Sequence, residues 1–224
     1  LADNRKATPC WSILTERQMR IKVCGMKNPE NIKAVAGLSP DYMGFICYDL
    51  SPRYVAALPP DVLEALPQSI YKTAVFVNER AEKIELLINE FGFNAVQLHG
   101  SESPDFCHYI RTKATVFKAF GLDDDFDFEQ LNAYKGFVDY LMFDTKTDGH
   151  GGSGKTFDWD ILNKYKLDVP FFVCGGLSLD NLEKVKQIKH PAFYGVDLNS
   201  RFETEPGMKD VEKLRQAFKI LRAN

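Results

Sequence analysis

KTAVFVNERAEKIELLINEFGFNAVQLHG, the run from Lys72 to Gly100, holds a strand, a helix and a second strand in that order. Lys72–Val77 is a compact apolar run of strand type, and Asn78-Glu79-Arg80 leads out of it into a helical pattern. There Ile84, Leu87, Ile88 and Phe91 recur at helical spacing and form a stripe that must face a core. Ala95–Leu98 then reads as the next strand. A β-rich run, an amphipathic stretch and a second β-rich run are the signature of a βαβ unit and hence of a parallel sheet.

The alternation continues in both directions. Further strand candidates are Ile21–Cys24 and Tyr42–Ile46 upstream, and Thr115–Ala119, Tyr140–Phe143, Phe171–Cys174 and Phe193–Val196 downstream, which makes eight with the two above. Helix start signals lie between them: Asn28-Pro29-Glu30 before Asn31–Val35, Ser103-Pro104 before Asp105–Ile110, and Ser178 with Asp180 before Leu182–Ile188. Eight strands, each followed by a helix, predict an α/β fold of the (β/α)8 TIM barrel type in a single domain. The count does not by itself exclude an open doubly wound sheet. Leu1 to Gln18 lacks periodicity and the strand pattern starts right after Met19, so residues 1–18 are expected to be an N-terminal extension of unknown role and 19–224 the barrel domain.

Bulk properties narrow the function classes. With 224 residues, 45% of them hydrophobic, the chain can bury a substantial core. A net charge of −3 offers no basic surplus for a nucleic-acid backbone, so any anionic ligand must be held locally. The five cysteines Cys10, Cys24, Cys47, Cys107 and Cys174 form no CxxC pair, which suggests neither a zinc site nor a disulfide framework and fits a reducing cytoplasm. No apolar run is long enough for a membrane span and no signal-type segment opens the chain, so a cytoplasmic protein with no membrane partner is expected. His108, His150 and His190 form no metal-spaced set with carboxylates, and no metal is expected.

In a barrel the chemistry sits just beyond the C-terminal ends of the strands, which confines the search to short windows. Cys24 ends the first strand before Gly25, where a thiol could take a proton from carbon if a nearby cation held its pKa down. A buried, inert cysteine is an equal reading of the position. Asp144 ends the sixth strand after three apolar residues, where apolar surroundings can keep a carboxyl protonated for use as a general acid. The adjoining loop, Asp148 to Thr156, favours that reading over a loop-capping aspartate. Gly149–Thr156 matches the spelling of a nucleotide-binding loop, but its place after the sixth strand makes a lid or binding loop the better reading.

Gly175-Gly176 after the seventh strand and Asp197–Ser200 after the eighth lie where barrels commonly hold phosphate with backbone N–H groups. Arg53 stands on a loop stiffened by Pro52 and offers a fork suited to a carboxylate, although on the residues alone a solvated loop arginine is slightly the favoured reading. Gln97 is expected inside the barrel and His99 at its rim, although a lone histidine is more often structural.

Taken together these motifs resemble the phosphoribosylanthranilate isomerase family from Ile21 to about Leu214. The resemblance rests on Lys22-Val23-Cys24-Gly25-Met26, Asp41-Tyr42-Met43-Gly44-Phe45-Ile46, Ser51-Pro52-Arg53-Tyr54-Val55, Val75-Phe76-Val77-Asn78 and Val96-Gln97-Leu98-His99-Gly100. It continues through Phe143-Asp144-Thr145, Gly151 to Trp159, Gly175-Gly176-Leu177 and Gly195-Val196-Asp197. It implies a cofactor-free Amadori rearrangement of phosphoribosylanthranilate, with Asp144 as general acid and Cys24 as general base. It also implies that Arg53 pairs with the anthranilate carboxylate, that Gly175, Gly176, Asn199 and Ser200 cradle the phosphate, and that Gln97, His99 and Asp197 line the site. Small-molecule sugar phosphate is then the only expected ligand, and the enzyme would be a monomer or a homodimer.

One departure stands out. After Gly195-Val196-Asp197 the family usually reads a small, glycine-containing loop, whereas this chain has Leu198-Asn199-Ser200-Arg201-Phe202-Glu203. Arg201 could therefore reach the phosphate or point to solvent. A histidine-pathway sugar isomerase runs similar chemistry but typically carries aspartate where this chain has Cys24. An epimerase would need metal ligands at its strand ends, and a barrel that had lost its chemistry would not be expected to keep both Cys24 and Asp144.

Overall fold

The computed structural model describes residues 18–55, 60–146 and 157–223. Eight parallel strands close into a barrel in chain order: β1 Arg20–Val23, β2 Tyr42–Ile46, β3 Tyr71–Phe76, β4 Ala95–Leu98, β5 Thr115–Leu122, β6 Tyr140–Thr145, β7 Phe171–Val173 and β8 Phe193–Leu198. Closure comes from β1 and β8, where Lys22 stands opposite Asp197. The expected strands are all present. β5 and β6 run further than their apolar cores suggested, because each keeps pairing with the other out to Leu122 and Thr145.

Among the described residues, five of the connections between strands carry α-helices, and several begin or end where the local chemistry directs. Asn28 caps α1 (Pro29–Ala36) by accepting from the Asn31 N–H at 3.1 Å. After the short α2 (Pro60–Glu64) comes α3 (Ala81–Phe91), which stops at Gly92, whose left-handed φ of 60° turns its N–H back to the Ile88 carbonyl. Ser103 caps α4 (Pro104–Arg111) by accepting from the Phe106 N–H at 3.2 Å. The expected stripe on α3 does face the core: Ile84 is fully buried, and Leu87, Ile88 and Phe91 pack against it.

The expectation of a helix after every strand holds only in a looser form. Among the described residues, the segments behind β5 and β6 form 3-10 turns, Phe128–Tyr134 and Trp159–Lys164, instead of α-helices. These segments are short and still bury Leu131, Trp159, Ile161 and Leu162. A 3-10 turn rises about 2 Å per residue and covers the sheet with fewer residues than an α-helix would. The helix expected over Leu182–Ile188 is regular only over Leu182–Val185, here α5. After β8 come a third 3-10 turn (Ser200–Phe202), the hairpin β9 (Glu203–Glu205) and β10 (Met208–Lys209), and α6 (Val211–Arg222), which is capped by Asp210.

Strand side chains alternate between two cores. One face packs outward against the helices as a large apolar layer. The other fills the barrel with Tyr42, Ala95, Phe117, Ala119, Met142, Phe172 and Cys174, joined by Tyr140 and Tyr194. Tyr42 meets Phe117 and Phe172 edge-on at 5.2 and 5.6 Å, and Phe117 stacks on Tyr140 at 4.7 Å. Aromatic pairs of this kind contribute about 0.5–1.5 kcal/mol each beyond their burial, so this plug makes a stiff floor beneath the residues at the mouth.

In β8 a register shift pairs Phe171 with Phe193 but Phe172 with Gly195. The extra residue lets both Tyr194 and Asp197, three apart in sequence, serve the interior. Among the described residues, no helix is long and apolar enough to cross a membrane.

Candidate active site

β1 delivers Cys24 to the mouth. Its N–H donates to the Leu198 carbonyl at 3.0 Å, which ties the residue to the end of β8, and the side chain is buried. Close against it lies the backbone of β2. A Cβ added to Gly44 would sit 2.6 Å from the Cys24 Sγ and 3.1 Å from the Lys22 Nζ, so glycine is the residue that leaves the thiol room. Lys22 shares the inward face of β1 with Cys24 and is fully buried. Its ammonium pairs with Asp197 Oδ2 at 2.9 Å across the β1–β8 seam. Burial pushes the Cys24 thiol up from its ordinary value and the Asp197 charge adds to this, while the Lys22 and Lys209 ammonium groups act the other way.

Asp144 arrives from β6. Its Oδ1 accepts from the Thr145 N–H at 2.7 Å, and its Oδ2 lies 3.6 Å from the His99 Nε2. Burial pushes its carboxyl up to about 6, with the Asp197 charge adding to the rise and the Thr145 N–H and Lys22 opposing it. A carboxyl so placed is protonated in roughly a tenth of molecules at neutral pH, against about one in a thousand for an ordinary aspartate. His99 is oriented by Gln97, whose Nε2 is 3.2 Å from the ring Nδ1. With the amide as donor, the neutral ring carries its proton on Nε2, facing Asp144. Gln97 Oε1 and Asp197 Oδ1 are buried with no hydrogen-bond partner among the described residues. Both are acceptors that a bound hydroxyl could satisfy.

Arg53 stands differently from the sequence reading. Its guanidinium is engaged by a protein carboxylate: Nε and Nη2 donate to Glu203 Oε2 at 2.9 and 2.7 Å. Glu203 also accepts from the Lys209 Nζ at 2.5 Å, and Lys209 donates to the Asn199 Oδ1 at 2.7 Å. One carboxylate thus holds two cations, and its own pKa is lowered because Arg53 and Lys209 outweigh its burial. This clamp fixes one edge of the Arg53 fork and leaves the Nη1 edge as the one a ligand could use. It also brings Arg53 and Asn199, assigned to opposite ends of the substrate, into one network.

Gly175 and Gly176 follow β7 with φ of 76° and 62°. A Cβ on Gly175 would lie within contact distance of Asp144 Oδ1 and 2.7 Å from the Thr145 N, so this glycine lets the seventh loop lie against the acid. The Gly176 carbonyl accepts from the Asn181 side chain at 3.0 Å. Ser200 opens the 3-10 turn, and Arg201 within it is exposed. The Asp148–Thr156 loop and Cys10 lie outside the described residues, as do all but one of residues 1–18. No cluster of three or more metal-ligating side chains occurs among the described residues.

Sequence reading missed Lys22, Glu203 and Lys209. Lys22 carried a signal, since it has the same strand parity as Cys24. Glu203 did not, because its partner is 150 residues away.

Residues 21–220 match the family model for N-(5'-phosphoribosyl)anthranilate (PRA) isomerase. Proteins named N-(5'-phosphoribosyl)anthranilate isomerase from Parabacteroides distasonis and Phocaeicola vulgatus are 44% and 45% identical. They cover 88% and 86% of this chain, and 90% and 92% of the relatives themselves. The crystal structure of phosphoribosyl anthranilate isomerase from Thermotoga maritima superposes with a TM-score of 0.79 at 33% identity, covering 91% of this chain and 98% of that one. A phosphoribosyl anthranilate isomerase in complex with reduced 1-(o-carboxyphenylamino)-1-deoxyribulose 5-phosphate superposes with a TM-score of 0.75 at 29% identity and the same coverage.

Proposed function

The chain belongs to the N-(5'-phosphoribosyl)anthranilate isomerase family, the aldose–ketose isomerases of tryptophan biosynthesis, and we propose that Cys24 and Asp144 carry out its proton transfers. The observation that supports this assignment is the buried Lys22–Asp197 pair, closed at 2.9 Å beside the Cys24 thiol, whose charges bear on both the thiol and the Asp144 carboxyl.

In this reading Asp144 gives its proton to the furanose ring oxygen. The bond from that oxygen to the anomeric carbon breaks, and the anthranilate nitrogen lone pair forms the Schiff base. The Cys24 thiolate then removes the proton from the neighbouring sugar carbon, whose electron pair moves to neutralise the nitrogen and leaves an enolamine. Tautomerisation gives the ketose. A protonated acid and an ionised base must coexist, so the two environments must hold their protons differently. His99 presents its Nε2 proton to Asp144 and stabilises the carboxylate once its proton has left.

Arg53 takes the anthranilate carboxylate on its free edge while Glu203 holds the other. Gln97 and Asp197 accept from sugar hydroxyls through the two buried oxygens that have no partner. The backbone of Gly175, Gly176, Asn199 and Ser200 receives the phosphate, where positive φ at the two glycines lets the chain approach an oxyanion closely. Residues 19–224 form the catalytic domain in this reading, with 1–18 as an extension. The enzyme works as a monomer or homodimer in a reducing cytoplasm; the Thermotoga maritima relative is described as dimeric.

The test is a fluorescence assay that follows disappearance of phosphoribosylanthranilate, run on the parent chain, Cys24→Ser and Asp144→Asn. Loss of about 100-fold or more in kcat for each variant, with the fold intact, is expected from removal of a general acid or base. Full activity in either variant would refute its role.

A further inference from the structure

We infer that Lys22 is the positioning residue for the thiol: its ammonium, seated beside Cys24 and braced by Asp197, sets the fraction of enzyme in which the sulfur is ready to accept a proton. This rests on the reading of Cys24 as the base. Lys22 is fully buried, its Nζ lies 2.9 Å from Asp197, and its Nζ and the Cys24 Sγ crowd the same point above Gly44, 3.1 and 2.6 Å from it.

A purely structural ion pair is the competing explanation, and the geometry disfavours it. Buried pairs repay their desolvation only when the remaining hydrogen-bonding capacity is met, yet Asp197 Oδ1 has no partner among the described residues. The seam between β1 and β8 would close as well with two apolar residues. What such residues could not supply is a cation on the same side of Gly44 as the sulfur.

Proton placement explains why that matters. The productive form has Cys24 ionised and Asp144 protonated, whereas the resting form has a neutral thiol and an ionised Asp144. The two carry the same net charge and differ only in where one proton sits, so pH between the two titrations cannot change their ratio. Only the local field can. Cys24 is faced by Lys22 on β1, Asp197 on β8, Cys174 just past β7 and Lys209 on β10; Asp144 on β6 is faced by Asp197, Lys22, Cys174 and His99. Asp197 disfavours both anions. Lys22 favours both, but its ammonium sits beside the Cys24 sulfur while Asp144 stands on β6, three strands away around the barrel, so its net effect moves the proton from sulfur to carboxyl.

The experiment uses the full chain and titrates the thiolate by its ultraviolet absorbance, each protein being referenced to its own Cys24→Ser counterpart, alongside kcat and KM as functions of pH. Lys22→Met should raise the Cys24 titration by about 1–3 units and lower the plateau of kcat by about 10- to 1000-fold, with KM nearly unchanged. Asp197→Asn should move the titration the opposite way, a change of sign that a general loss of packing would not produce. Should Lys22→Met fail to fold, Lys22→Met/Asp197→Asn leaves no lone buried charge and should still titrate above the parent. A Cys24 titration that does not move in whichever of these lysine variants folds would overturn the inference. The two failures separate: an active Cys24→Ser enzyme removes the base, whereas an inactive one with an unmoved titration in the lysine variant removes only the role of Lys22.

Discussion

Replacing Gly44 with alanine adds one methyl group at the point where β2 touches the thiol. That methyl would sit 2.6 Å from the Cys24 Sγ and 3.1 Å from both the Cys24 Cα and the Lys22 Nζ. Non-bonded heavy atoms of this kind prefer about 3.5–4.0 Å, so the sulfur must retreat by roughly 1 Å. It has little room to do so, because Cys24 is buried and its own N–H is tied to Leu198. Overpacking a filled interior destabilises by about 1–3 kcal/mol, whereas Gly→Ala stiffens the unfolded chain and returns about 0.4–1 kcal/mol. Overpacking wins, and the net loss is about 1–2 kcal/mol, or a fall in Tm of several degrees for a chain of this size. The effect on activity should be larger in proportion, since a 1 Å misplacement of a reacting group can reduce the rate about 100-fold. The assay is the decay of substrate fluorescence with thermal unfolding followed in parallel, and KM should stay close to that of the parent because Gly44 holds no ligand. A Gly44→Ala enzyme with kcat within a factor of about two of the parent and an unchanged Tm would refute the packing argument.

Three further outcomes follow from the same geometry. Asp144 titrates higher in the folded state than its ordinary 3.8, at about 6, so the folded protein binds more protons in that window and its stability falls as pH rises through it. Asp144→Asn removes the penalty and should therefore be more stable than the parent by about 2–3 kcal/mol at neutral pH but not near pH 4, while being inactive; equal Tm values at both pH settings would contradict the burial argument. Arg53→Lys keeps the charge but loses the fork shared between Glu203 and the ligand, and steady-state kinetics should show KM raised about tenfold with kcat little changed; an unchanged KM would remove Arg53 from the binding site. Ser103→Ala deletes the cap on α4 and should lower stability by about 1 kcal/mol without affecting kinetics, as read by denaturant unfolding.

The strands of the barrel were legible in the sequence because they are short apolar runs with strand-end punctuation, and the residues that end them are the ones proposed to carry the chemistry. Cys24 and Asp144 could be picked out by position alone, although position left Cys24 balanced between a working thiol and a buried one. The helical layer was less legible. The segments behind β5 and β6 have the apolar residues to pack on the sheet, and no local pattern distinguishes the 3-10 turns they form from short α-helices. Two lysines show the same limit. Lys22 and Lys118 each interrupt an apolar strand and look alike in sequence. Lys22 faces the barrel interior and Asp197, while Lys118 faces the outer layer, where it pairs with Glu102 at 3.2 Å and donates to the Gly100 carbonyl at 2.7 Å.

Local patterning determined the order of the eight strands and the windows to search for function, because periodicity and capping act over a few residues, whereas closure waited on β8 pairing back onto β1. The charge network around the candidate site was decided only by the tertiary structure. Lys22 meets Asp197 across 175 positions of sequence and Arg53 meets Glu203 across 150, and both contacts arise because the closing seam and the last loop return to the first two strands. The Gly44 approach to the thiol and the burial that lifts Asp144 belong to the same class. Charge and desolvation act through space, and no local pattern in the chain encodes which distant groups will share it.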